Sequence, residues 1–250
     1  MGGVLQDFAE RAEKWVRRVA RLDRGVVRRM RREISSAQRE LMRLISLYDP
    51  SGYSVYTAER LIADIDREME HLGNVLNAQV QPVINKAIDL GAQKTAEFAA
   101  AEVVGVSAEA ALAAREMTMD LVKGVTAEAR KRMAFEIRQM VVQQQDLMTT
   151  IKNIGRNLTE PSVFKSIADR AETIARTETA RAFSLADEAF AARMAAGKAP
   201  IFMVWYTAED ERTCEACMAL HGQKWRVDDK SRPRQPLHPN CRCTWLYEEG

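Results

Sequence analysis

All four cysteines of this 250-residue chain lie in its last thirty-seven positions, as Cys214-Glu-Ala-Cys217 and Cys241-Arg-Cys243. His238 stands three residues ahead of the second pair, in the run Leu237-His238-Pro239-Asn240. Two close pairs of soft donors separated by a loop suit a tetrahedral zinc site, each pair gripping the ion from one turn. The other use of paired thiols is a disulfide. The chain opens Met-Gly-Gly-Val-Leu and turns charged without a leader-like apolar run, so the expectation is a reducing compartment and metal rather than disulfides. Cys214 and Cys217 are expected to bind zinc together with two of His238, Cys241 and Cys243. Spacing does not choose among those three, and His221 is an outlying sixth donor.

Zinc that catalyses keeps an open coordination position and has an acid or base beside it. Here the donors are thiolate-rich and numerous enough to close the shell. No HExxH pattern and no deaminase pattern is present. His71, the remaining histidine, falls in a helical stretch and is expected at the surface. The reading is therefore a structural zinc and no enzyme.

The elements that position this cluster are mostly helical. Net charge is only +2, and no stretch has the eighteen or so uninterrupted apolar residues of a membrane span. Between Arg11 and Arg43, however, twelve basic residues face four acidic ones. Trp15, Val19, Leu22, Val26, Met30, Ile34, Leu41 and Leu44 form the apolar stripe of a helix whose arginines surround it. Arg17, Arg18, Arg28 and Arg29 are candidates for contact with nucleic-acid backbone or an acidic protein, against the plainer reading of a solvated charged face. Aromatic residues for base stacking are missing among them.

Asp49-Pro50-Ser51-Gly52 predicts a turn, and Thr57 is the expected N-cap of a second helix that Pro82 should kink or break. Ser107 is a cap for a further helix after a pause at Gly105, and another helical stretch is expected from Thr126 to about Ile151. Thr159-Glu160-Pro161 and Gly197-Lys198-Ala199-Pro200 bracket the last long helix. Its face runs Val163, Ile167, Ala171, Ile174, Ala182, Leu185 and Ala189, with Glu178 at the one missing step. A carboxylate there needs a cation. Arg181 is the local candidate and Arg242 the distant one, which would dock the zinc module on this helix.

After Pro200, strands are expected at Ile201–Tyr206, around Gln223–Val227 and at Thr244–Tyr247. Three of the four tryptophans fall in this segment. A module this small needs such aromatics and a metal to hold together. The loop 228–236, with mixed charges and two prolines, is expected to be mobile. The fold class is thus mainly α, long amphipathic helices followed by a small α+β zinc-stabilised module. A helical region, 1–160, precedes a domain at 161–250 whose zinc module spans about 201–250.

The run Ile174-Ala-Arg-Thr-Glu-Thr-Ala-Arg-Ala182, then Trp205-Tyr206-Thr207, Asp210-Glu-Arg-Thr-Cys-Glu-Ala-Cys217, Leu220-His221-Gly222 and His238-Pro-Asn-Cys-Arg-Cys243, resembles the head-morphogenesis (minor capsid) family of tailed bacteriophages, relatives of the phage Mu F protein. The resemblance covers about Ser162 to Tyr247, and His221 departs from the acidic or small polar residue many relatives carry there. It implies a minor head protein in the virion, in the capsid interior or at the portal vertex, and in the host cytoplasm during assembly. Implied partners are the portal protein or the major capsid protein, and packaged double-stranded DNA, with several copies per particle and no membrane. Two rival readings come from other classes: a cellular zinc-containing nucleic-acid-binding protein, and a zinc-dependent nuclease with His221 or His238 as base.

Overall fold

A computed structural model describes residues 2–47, 55–99, 108–143, 163–195 and 201–249. Four long helices come first, α1 (Gly2–Ser46), α2 (Val55–Ala99), α3 (Ala108–Gln143) and α4 (Val163–Ala195). They are followed by β1 (Ile201–Tyr206), a short α5 (Glu215–Leu220), β2 (Lys224–Arg226) and β3 (Thr244–Glu249). The molecule is mainly helical with one small antiparallel sheet of order β2-β1-β3. The turn at 49–52, Ser107, and the signals at 159–161 and 197–200 lie outside the described residues.

The chain divides into two compact units, one of 26–80 with 118–174, the other of 1–25, 81–117 and 175–250. The first is a helical core. Val26, Met30, Ile34 and Leu41 of the predicted stripe are buried there, as are Ile65, Met69 and Leu76 of α2 and Val122 and Ile137 of α3. Arg130 bonds Asp66 at 2.9 Å and Arg138 bonds Glu59 at 3.1 Å across its surface.

Two expected boundaries are corrected here. Thr57 and Thr126 sit inside helices rather than at their starts, because α2 begins at Val55 and α3 at Ala108. Pro82 does not break α2, which runs on to Ala99. Pro82 and Ala78 are both exposed, so the carbonyl that loses its intrahelical donor faces water, while Val80, Val83 and Ile84 stay buried.

The other unit carries the sheet. Trp205 and Trp245 are directly paired across β1 and β3, and Met203 lies opposite both Trp225 and Tyr247. Period-two alternation puts all five on one face. There the rings of Trp205 and Trp225 meet Trp245 edge-on, at 5.1 and 5.9 Å between centroids. This aromatic face is the core of the module. The loop 228–236, expected to be mobile, is tied down: Arg232 bonds Glu188 of α4 at 2.7 Å, and Gln235 is buried.

Helix α4 is buried on more than the predicted stripe. Phe183, Ala186 and Phe190 are buried, whereas Leu185 is exposed. One side packs against α2 so closely that a Cβ on Gly91 would stand 2.2 Å from the Phe183 carbonyl oxygen. Another side receives the sheet module, with Trp245 Nε1 donating to Glu188 at 2.9 Å. Between α2, α4 and β3 sits Lys94, fully buried, in an ion pair with Asp187 that is itself 1 % exposed. Its ammonium also donates to the Trp245 carbonyl at 2.6 Å, and the Thr95 hydroxyl bonds Asp187. Burial pushes the Asp187 carboxyl up and the Lys94 ammonium down, and their mutual attraction opposes both shifts.

Removing one member leaves the other a buried charge without a counter-charge. Lys94→Met is expected to cost about 3–5 kcal/mol of stability. Lys94→Met combined with Asp187→Leu should recover most of that loss. Denaturant unfolding of the three variants checks it, and additive losses would show that the two residues are not coupled.

Candidate metal centre

The first cysteine pair is built on a helix start. Cys214 is the N-cap of α5, with extended backbone, and its sulfur accepts the Cys217 N–H at 3.4 Å. That bond, first among several, holds the Cys214 thiol below its ordinary range. Cys217 falls one turn later and is buried.

The second half comes from the tight chain just before β3. The Cys241 N–H donates to the His238 carbonyl at 3.2 Å, Asn240 takes a left-handed conformation with φ 59°, and its N–H donates to Thr177 of α4 at 3.1 Å. His238 Nδ1 lies 2.8 Å from the Pro239 carbonyl oxygen. A carbonyl only accepts, so Nδ1 carries the hydrogen and the Nε2 lone pair of the neutral ring is free to bind. That Nε2 lies 3.2 Å from Cys214 Sγ and 3.3 Å from Cys217 Sγ.

The five predicted donors are thus brought together as two triads sharing one sulfur: Cys214, Cys217 and His238, and Cys217, Cys241 and Cys243. Within each triad the donor atoms lie within 4.8 Å of one another. Cys217 and Cys241 are 3.8 Å apart, close to the roughly 3.8 Å edge of a tetrahedron with 2.3 Å zinc–sulfur bonds. A cavity of about 20 Å³ is bounded by Cys214, Cys217, His238 and Cys243 among others. That is room for one ion or water. His221 lies apart from both triads. Its Nδ1 accepts from the Thr207 N–H at 3.3 Å and meets the Thr207 hydroxyl at 2.8 Å, holding the end of β1.

Electrostatics point the same way. Burial pushes the Cys217 thiol up to about 12. Cys241 is drawn down to about 5, chiefly by a hydrogen bond from Cys243, whose own thiol is pushed up in return. So many sulfurs cannot ionise side by side unless a cation sits among them, and a divalent ion deprotonates coordinating thiols outright. The donor set fits a metal ion.

Glu178 is only 4 % exposed, and its partner is Arg181, at 3.0 Å. Arg242, the distant candidate, is engaged elsewhere: its guanidinium makes a two-pronged bond to Asp210, with Nη1 at 2.8 Å from Oδ2. The module docks on α4 through Thr177, Glu188 and Arg232 instead. Asp210 also accepts the Arg212 N–H at 3.1 Å and the Thr213 hydroxyl at 3.2 Å. It thereby joins the loop ahead of Cys214 to the Cys241–Cys243 segment. On α1, Arg17 pairs with Glu13, Arg18 lies over the Trp15 ring at 4.7 Å, Arg29 bonds Gln79 at 2.7 Å, and Arg28 is exposed. Lys94 and Asp187 carried no signal in sequence, since neither stands in a motif.

The arrangement is a Cys/His knuckle seated on a helical scaffold. The sequence pattern described as "Phage Mu protein F like protein" matches residues 116–246, just over half of the chain. The chain belongs to this family of phage head-morphogenesis proteins. No curated protein and no solved structure matches it. Among the described residues no helix is long and apolar enough to cross a membrane.

Elemental analysis of the purified chain should find about one metal ion per molecule, since the donors form a single shared cluster. Cys217→Ser, which removes the sulfur common to both triads, should abolish it. Cys243→Ser should lose more metal than Cys241→Ser, because Cys243 bounds the cavity. The Asp210–Arg242 bond has its own signature. The guanidinium, first among the causes, holds the Asp210 carboxyl down to about 2 from an ordinary 3.8. A depressed carboxylate contributes stability that is fully present above about 4 and is lost as pH falls through about 2. Asp210→Asn should therefore melt below the wild type at neutral pH, with the gap closing between those two values. A gap that persists at the acid end would show that the charge is not what matters.

Proposed function

We propose that this chain is a minor head protein of a tailed phage that acts in head assembly at the portal vertex. It is present in several copies in the capsid interior, after a period in the host cytoplasm. The observation that carries the reading is the family match across 116–246, which takes in α4, β1, β2 and the whole donor cluster. The partners are the portal protein or the major capsid protein.

In this reading the metal is zinc, held by Cys214 and Cys217 with two of His238, Cys241 and Cys243. Thiolates and a neutral imidazole are ligands that zinc favours, and a filled shell makes its role structural rather than catalytic. The ion joins α5 to the segment before β3, in a module too small to be held by its apolar core alone. The motif-bearing domain, 161–250, supplies this rigid knuckle, and the helical region, 1–160, supplies the long arm that meets other head components. In this reading Arg17, Arg18, Arg28 and Arg29 on α1 meet the backbone of packaged double-stranded DNA through charge alone, a contact that weakens as salt rises.

Quantitative mass spectrometry of purified particles, with co-purification of the portal protein, tests the proposal. A small number of intact copies per particle and a portal protein retained on the tagged chain are expected. Complete absence from particles, with no head protein captured during assembly, would refute it.

A further inference from the structure

A cavity of about 360 Å³ opens beside the metal cluster, wholly within the unit of 1–25, 81–117 and 175–250. Five arginines line it, Arg17, Arg24, Arg176, Arg212 and Arg242, against one carboxylate, Asp23. Arg17 and Arg242 are partly neutralised by Glu13 and Asp210, and Arg176 and Asp23 are already engaged. The guanidinium groups of Arg24 and Arg212 are exposed and make no hydrogen bond or ion pair among the described residues. Thr244, 2 % exposed, is among the lining residues, and its buried hydroxyl has no partner among the described residues. Cations gathered around one concavity repel each other until an anion enters, and low-dielectric walls focus their field.

Apolar side chains line it too, Val16, Val19 and Ala20 of α1 with Ala180 and Phe183 of α4, beside Ser184, Asn240 and the metal-site residues Cys241 and Cys243. We propose that this cleft binds a short peptide segment carrying carboxylates between apolar side chains. Its carboxylates are taken by the planar forks of Arg24 and Arg212, and its apolar side chains lie on Val16, Val19 and Ala180. The inference rests on the head-assembly reading for the source of the segment, another head protein, and on the cleft alone for its chemistry. A peptide fits better than nucleic acid. A duplex presents its phosphates on a convex surface and cannot enter a cavity of this size. A single strand needs an exposed ring to stack on, and the one aromatic residue of the lining, Phe183, is buried.

The test is fluorescence anisotropy on the full metal-loaded chain with a labelled peptide repeating Leu-Glu-Glu-Leu. Comparators are the same peptide with Gln for Glu, oligothymidylate and inorganic phosphate. The acidic peptide is expected to bind, the Gln peptide to fail, and Arg24→Glu with Arg212→Glu to weaken binding by about tenfold or more, as the loss of two charge-assisted bonds requires. Arg39→Glu, an exposed arginine in the other unit, should change little. If the double reversal melts early, Ala180→Phe, which fills the cleft and leaves its charges in place, should weaken binding in the same way. Equal binding by these variants, or tighter binding of oligothymidylate through the same two arginines, would overturn the proposal. No binding by a chain that is present in particles overturns the cleft and leaves the head reading standing. Binding by a chain absent from particles supports the cleft and removes the head reading.

Discussion

The ion pair of Lys94 and Asp187 ties together three elements that are far apart in sequence. The lysine comes from α2, the carboxylate from α4, and the second bond of the ammonium goes to the backbone of β3. A charge this deep is tolerated only when every lone pair and proton around it has a partner, so the three elements are held to one geometry. Gly91, one turn before Lys94, lets α2 approach α4 closely enough for the pair to form. The tryptophan face of the sheet then packs over a helix surface whose position is already set, and Trp245 contributes both its ring and its carbonyl to the joint.

The donor cluster is a consequence of that docking. Its two halves are ordered by separate local devices, the start of α5 for Cys214 and Cys217 and the left-handed step at Asn240 for Cys241 and Cys243. Neither device brings the halves together. Asp210 and Arg242 do so across the module, and Thr177 anchors the second half to α4. The His238 ring is oriented by a carbonyl on its far side, so its binding nitrogen faces two sulfurs before any ion arrives. Pre-orientation of this kind suits the binding of an ion, which would relieve the mutual repulsion of crowded thiolates.

Charge is distributed with equal economy on α1. Several of its arginines are committed to neighbours within their own unit: Arg17 to Glu13, Arg29 to Gln79, and Arg31 to Glu172. Others, such as Arg24 and Arg28, are left exposed. The basic helix is therefore a set of distinct sites, some structural and some open to a partner, rather than a uniform positive surface.

Much of this was legible in sequence wherever the controlling interaction is local. Short aromatic-rich runs marked the three strands, the apolar stripe marked the buried face of α1, and the spacing of cysteines and histidine marked the candidate donors. The resemblance carried by those motifs led to the family. Local signals failed where a distant group decided the outcome. Thr57 looks like a cap and Thr126 like the start of a new helix, yet both lie inside helices that run on past them. Pro82 looks like a break but faces water, where its orphaned carbonyl can be hydrated. Glu178 was correctly placed among buried residues, yet Arg242 proved to belong to Asp210. Lys94 and Asp187 gave no signal at all. Sequence determines periodicity, capping chemistry and ligand type, since these depend on neighbours a few residues away. Only the tertiary structure decides which buried charges pair and which arginines converge on one cleft, because those choices depend on distances between segments that the chain order does not encode.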